Sequence, residues 1–233
     1  MKNTILLFIM PFMLFGCANQ KNLLGQSAHN ITAQSSAQKT KPQAARNEVI
    51  INDSTFVNLK NYSNEFIYDM RYATTDNFLK AQVYDCAECY LRLKTVKALV
   101  KANEAFIKKG YRIKLYDCYR PLDIQKRMWK IVSNPKYVAN PSTGSIHNRG
   151  GAVDISLVNK SGKELNMGTK FDFFGKEAGH DYKDLPKKTL QNRLILKGIM
   201  TDNNFTAIDS EWWHYNFKDA ANDKVSNFKW ECK

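Results

Sequence analysis

The stretch SIHNRGGAVDISL, Ser145–Leu157, is the centre from which the rest of the chain can be read. It sets His147 and Asp154 seven positions apart, with Gly150 and Gly151 between them. Paired glycines mark a turn, and the mostly apolar run from Ala152 to Val158 has the length of a strand. A histidine therefore closes a loop, and a carboxylate rides the strand that follows. Imidazole nitrogen and carboxylate oxygen both bind zinc well, and a catalytic zinc takes three protein ligands while a fourth position stays open. EWWHY, Glu211–Tyr215, offers the third ligand in His214. Three residues before it, Glu211 supplies a carboxylate with the chemistry of a general base. Taken without further context, the same residues also suit a hydrogen-bonded polar cluster that merely orients loops.

Working outward, Phe66, Met70 and the tyrosines 68 and 72 alternate with polar residues and predict a half-buried strand, turning at Thr74-Thr75-Asp76-Asn77. Leu93, Val96, Leu99, Val100, Phe106 and Ile107 recur at helical spacing, with Gly110 as the stop. Tyr111–Tyr119 reads as a strand ended by Pro121, and Leu122–Val132 as a helix with Ile124, Met128, Trp129 and Val132 on one face. After the metal-ligand strand, Ser161-Gly162 centres a hairpin-like turn from which Glu164–Met167 returns. A helix over Lys187–Asp202 is expected to point Leu190, Leu194, Ile195 and Ile199 inward. Phe205–Ile208 and Trp213–Phe217 read as the last strands. Helices interspersed with mostly antiparallel strands predict an α+β domain with one central sheet.

Five segments in order, DMRYATTDNF (Asp69–Phe78), YDCYRP (Tyr116–Pro121), SIHNRGGAVDISL, MGTKFDFF (Met167–Phe174) and EWWHY, make the chain similar to the zinc D,D-peptidases. Within that family it resembles the D-alanyl-D-alanine dipeptidases of the vancomycin-resistance type. The resemblance runs from about residue 65 to residue 217 and implies a hedgehog/D,D-peptidase-like single domain with helices flanking a mainly antiparallel sheet. It also implies one Zn²⁺ per chain on His147, Asp154 and His214, and Glu211 as the base. Arg120, fixed beside Pro121, is implied to stabilise the oxyanion, where losing such a donor costs ~3 kcal/mol; the bland alternative is a surface ion pair with Asp117 or Asp123. Asp172 matches the family carboxylate that receives the substrate ammonium, and Ser145 a substrate-binding serine. Either could instead support a turn. Arg149, Trp212, Trp213 and Tyr215 read as scaffold or pocket wall, and His29 and His180 as surface residues. The implied substrate is a small D,D-dipeptide. The alternatives are a D,D- or L,D-carboxypeptidase trimming peptidoglycan stem peptides, and a non-catalytic wall-binding zinc lipoprotein.

The chain has 233 residues, a formal charge of +13 and 43% hydrophobic residues, which fits one domain with a full core. Its basic residues are scattered and form no nucleic-acid motif, so nucleic acid is not an expected partner. Residues 1–16 carry one lysine and then the apolar run ILLFIMPFMLF, a secretory segment too short to span a bilayer. Leu14-Phe15-Gly16-Cys17 resembles a bacterial lipobox, implying a lipidated Cys17 and a protein held on a bacterial membrane, facing the periplasm or the exterior; a plain signal peptide with Cys17 a chance cysteine is the alternative. Residues 17–48, poor in large apolar side chains, read as a flexible tether, leaving 49–233 as the peptidase domain. Cys86, Cys89, Cys118 and Cys232 predict two disulfides in an exported chain, with all three pairings open; a four-thiolate zinc site is the rival.

Overall fold

The structure is a computed structural model and describes residues 51–232. The expected signal segment, Cys17, His29, the tether and the domain's expected start at Val49 lie outside the described residues.

A two-stranded antiparallel ribbon pairs β1 (Phe56–Asn58) with β3 (Tyr90–Arg92). The main sheet has five strands, β2 (Ile67–Tyr68), β4 (Tyr111–Asp117), β5 (Ala152–Asn159), β6 (Phe205–Ile208) and β7 (Glu211–Phe217), in the spatial order β2-β4-β5-β7-β6. Among the described residues only the short edge pair β2 and β4 is parallel; the other pairs are antiparallel. The helices are α1 (Leu93–Lys108), α2 (Leu122–Ile131) and α3 (Lys187–Asp202). This is the α+β domain with a mainly antiparallel central sheet that the sequence predicts.

Strand β5 sits at the centre of the sheet, and its residues 152–158 are all buried. Strand side chains alternate faces. Val153, Ile155 and Leu157 join Leu99 and Phe106 of α1 and Leu196 and Met200 of α3 in the main core. Asp154 and Ser156 therefore point to the other face. A second cluster of Tyr72, Tyr84, Met128 and Val138, with Ile124 and Trp129 of α2, packs near that face. Tyr84 reaches the sheet through a 2.7 Å hydrogen bond to Asp117, the cross-strand neighbour of Asp154.

Both disulfides expected from the four cysteines are present, as Cys86–Cys232 and Cys89–Cys118. All four thiols are consumed, which removes the four-thiolate zinc alternative. The first bridge fastens the C-terminal segment, where Phe228 stacks on Phe56 at 5.0 Å and Trp230 on Tyr90 at 5.0 Å.

Three expectations need correction. The strand over Phe66–Tyr72 shrinks to Ile67–Tyr68. Asp69 N still donates to Leu115 O, but the chain then coils into a turn at Arg71–Ala73, where Tyr72 O accepts from the amides of Val83 and Tyr84. Burial of Met70 and Tyr72 thus outlasts strand pairing. The return after Ser161-Gly162 is one bridge, Val158 to Glu164, rather than a strand. Helix α3 has the predicted ends, and Ile199 is buried and Ile195 packs on the core as expected, but Leu194 does not point inward and polar residues share the buried face. Thr189, Asn192, Arg193, Leu196, Ile199 and Met200 are buried, while Leu194 is 67% exposed. Asn192 and Arg193 face inward because they donate to loop carbonyls of Asn166, Met167, Gly179 and Glu177.

Helix α3 therefore gives a direct stability test. Leu196→Ala is expected to lower the unfolding free energy by ~2–5 kcal/mol, a buried large-to-small loss. Leu194→Ser should change it by less than about 0.5 kcal/mol, as surface substitutions do. Urea unfolding of the two variants checks the orientation.

Candidate active site

His147 begins a single helical turn, His147–Arg149, which Gly150 ends with φ 73°. A side chain at Gly150 would run into the Phe56 ring, and one at Gly151 into Ala220. The two glycines thus let the loop pass tightly into β5. Asp154 follows on β5, directly opposite His214 of β7. His147 and Asp154 are almost fully buried, and His214 is largely so.

Glu211 is three residues from His214, a spacing that in a regular strand puts side chains on opposite faces. Here the register of β6 against β7 slips: Ala207 faces Tyr215 but Ile208 faces Glu211. The bulge re-aims the strand and brings Glu211 Oε2 to 4.0 Å from His214 Nδ1.

The three predicted ligands converge. His147 Nε2 lies 3.2 Å from His214 Nδ1, Asp154 Oδ1 lies 3.0 Å from His214 Nδ1, and 3.4 Å separates His147 Nε2 from Asp154 Oδ1. A tetrahedral ion with bonds of ~2.0–2.1 Å needs ligand atoms about 3.3 Å apart, so the triangle fits a zinc-sized cation. The far side of each ring supports this. His147 Nδ1 donates to the Cys118 carbonyl at 2.7 Å, and His214 Nε2 donates to Asn216 Oδ1 at 2.8 Å. With those N–H groups committed, the facing nitrogens carry lone pairs. Two lone pairs and a carboxylate oxygen meet in a buried space, which is unfavourable until a cation joins them. Burial by itself would raise the Asp154 carboxyl; when the imidazoles are protonated instead, their positive charge outweighs burial and holds that carboxyl well below the usual carboxylate range.

Arg120 is buried, and the surface ion pair considered from sequence is replaced by an interior one. Its Nη2 donates to Asp117 Oδ2 at 2.5 Å and its Nη1 to Gln125 Oε1 at 3.0 Å. Asp123 instead bonds Asn227. Arg120 Nε and Ser145 Oγ are buried without partners among the described residues, so both retain a donor for a ligand. Asn148 links them: its Oδ1 accepts from Ser145 N, and its Nδ2 donates to Arg120 O.

Asp172 has φ 60°, a left-handed conformation uncommon outside glycine. Its carboxylate accepts from Tyr72 OH at 3.1 Å, and that ring lies 5.3 Å from the Arg120 guanidinium. Burial above all, with the charge of Asp154 adding to it, pushes the Asp172 carboxyl well up. Burial likewise raises Glu211, His214 partly opposing it. Two hollows share Phe173 in their walls. One of about 670 Å³ is lined by Asp172, Phe171 and Trp212; one of about 760 Å³ is lined by Glu211, Phe174 and Tyr137. The metal-type ligands line neither, so Asp172 and Glu211 are the acidic groups of the site that reach them.

The catalytic, metal-ligating and substrate-binding candidates read from sequence, His147, Asp154, His214, Glu211, Arg120, Asp172 and Ser145, fall in this region. Sequence reading missed Asn148, Tyr72 and Asn216, and offered Asp117 only as a surface partner of Arg120, although each lies inside or beside one of the matching segments. Asn216 carried a usable signal, because a residue two beyond His214 on a strand shares its face.

Residues 52–231 match the peptidase family described as D-ala-D-ala dipeptidase. A D-alanyl-D-alanine dipeptidase of Escherichia coli (strain K12) is 33% identical over 164 residues, covering 70% of this chain and 85% of that protein. Proteins of the same name from Enterococcus faecium and Enterococcus faecalis are each 30% identical, over 176 and 174 residues, covering 65% of this chain and 86% of theirs.

His180 departs from its expected surface position. Its ring packs 6.4 Å from Tyr215, its Nε2 is buried without a partner among the described residues, and its amide bonds Asp209 O in the turn leading to Glu211. Burial, with Lys197 and Arg193 adding to it, lowers its pKa from 6.5 to about 4. Between those values the unfolded chain binds more protons, so the stability His180 contributes is full above pH 6.5 and is lost as pH falls through about 4. Thermal unfolding across that window should show a smaller acid-side loss in His180→Gln than in the wild type; equal losses would contradict it.

Proposed function

The chain belongs to the D-ala-D-ala dipeptidase family of peptidases, and we propose that it is a zinc enzyme that hydrolyses D-alanyl-D-alanine, using Glu211 as general base. The observation that carries this reading is the triangle of His147, Asp154 and His214, with its outer N–H groups committed and Glu211 4.0 Å from one corner. These three residues would hold one Zn²⁺. When bound, zinc supplies a Lewis acid that makes hydroxide available near neutral pH.

The chain's own groups do the rest. Glu211 takes the proton of the attacking water and passes it to the leaving amine, so no covalent bond to the protein forms. Arg120, with Nη1 and Nη2 held by Gln125 and Asp117, keeps Nε for the oxygen that becomes negative at the tetrahedral stage. Ser145 Oγ offers a further polar contact to substrate. Asp172 is a buried carboxyl whose hydrogen-bond partner among the described residues is the neutral Tyr72 hydroxyl rather than a cation. The ammonium of a free dipeptide supplies that missing charge, which favours a substrate with an unblocked N-terminus.

The reading includes export. Residues 1–16 direct secretion, Cys17 carries lipid, and 17–48 tether the domain to a bacterial membrane, where it acts in cell-wall peptide metabolism. The hollow of about 670 Å³ at Asp172 favours a second reading, a carboxypeptidase that accepts longer stem peptides.

Two variants and two substrates test these roles. Glu211→Ala should lose at least ~100-fold in kcat/KM, the lower range for general base catalysis, while zinc stays near one per chain; retained turnover removes Glu211 as base. Wild type should cleave free D-Ala-D-Ala faster than an N-acylated stem peptide, and Asp172→Asn should lose only the former activity. The reverse preference would establish the carboxypeptidase.

A further inference from the structure

The acceptor for His147 Nδ1–H is a main-chain oxygen, and a main-chain oxygen is positioned only by what holds its chain. Cys118 supplies it, 2.7 Å away, from the segment just beyond β4. Cys118 also donates its amide to Asp117 Oδ1 at 2.9 Å, and Asp117 in turn holds Arg120. Arg120 N then donates back to His147 O at 3.1 Å. One residue thus sits between a metal-type ligand and the arginine of the site.

Cys118 has no polar side-chain group with which to hold itself. Its side chain is joined to Cys89, and both residues are fully buried. Cys89 is fixed in turn, because its carbonyl accepts from Leu59 N at 2.9 Å and the next residue opens β3. The bridge therefore joins the ribbon of β1 and β3 to the end of β4 in the main sheet. Cys86–Cys232 differs: Cys86 Sγ accepts from Trp230, and the bridge fastens the tail without touching a metal-type ligand or its partner.

We propose that the Cys89–Cys118 disulfide is a positioning element of the metal site, holding the Cys118 carbonyl where it fixes the tautomer and orientation of His147. Losing the partner behind a metal-binding histidine typically costs ~10–100-fold in metal affinity. This inference rests on the zinc reading and assigns the bridge a role that a simple brace on the fold would not have.

The experiment compares full-length wild type with Cys89→Ala/Cys118→Ala and with Cys86→Ala/Cys232→Ala. Zinc affinity is read by competition with a chromophoric chelator, thermal stability by circular dichroism, and the His147 Nδ1–H proton by NMR. Both double variants should melt earlier. Only Cys89→Ala/Cys118→Ala should bind zinc ~10–100-fold more weakly and lose the slowly exchanging Nδ1–H signal. Cys89→Val/Cys118→Ala, which refills part of the lost volume and leaves no thiol, decides the matter if the alanine pair fails to fold. A folded variant without the bridge that keeps wild-type zinc affinity and the Nδ1–H signal overturns the proposal, as does equal zinc loss in Cys86→Ala/Cys232→Ala. Wild type that binds no zinc would instead defeat the metal reading itself.

Discussion

Three electron-rich atoms, His147 Nε2, Asp154 Oδ1 and His214 Nδ1, are pressed to within 3.0–3.4 Å of one another in a buried space. Such a grouping repels itself unless positive charge sits among it. A shared proton relieves part of that repulsion, whereas a divalent cation engages all three atoms together. The surroundings are arranged around this requirement. Both imidazoles turn their N–H groups outward to fixed oxygen acceptors, and Glu211 and Asp172 keep raised carboxyl pKa values close by.

Regular structure alone would not assemble this group. Antiparallel pairing of β5 and β7 brings Asp154 opposite His214, but His147 arrives only because Gly150 and Gly151 let the loop turn without clashes. Glu211 arrives only because β7 bulges. A second irregularity, between Leu115 and Asp117 of β4, sets Asp117 against Asp154 and leads into Cys118 and Arg120. The main core lies behind the sheet, between α1, α3 and the alternate residues of β5, and gives these departures a stiff base.

Much of this was legible in the sequence. Residue types with specific chemistry at definite spacings named His147, Asp154, His214 and Glu211, and the ordered segments added Arg120, Ser145 and Asp172. Their supports were harder to find for physical reasons. The acceptor behind His147 is a backbone carbonyl, which any residue would possess. Asn148 and Asp117 act through hydrogen bonds that depend on a folded loop. On α3 the periodicity places Ile195 and Ile199 correctly but not Leu194, because apolar spacing cannot anticipate Asn192 and Arg193 burying themselves to satisfy loop carbonyls. The number of disulfides followed from four cysteines, but their pairing depends on which loops meet.

The central claim is that the triangle binds zinc. Anomalous diffraction at the zinc edge from crystals of the metal-loaded protein tests it most directly. The account predicts one strong peak per chain, ~2.0–2.2 Å from His147 Nε2, Asp154 Oδ1 and His214 Nδ1, as zinc–nitrogen and zinc–oxygen bonds require. No peak there, or zinc held only by other residues, would contradict it.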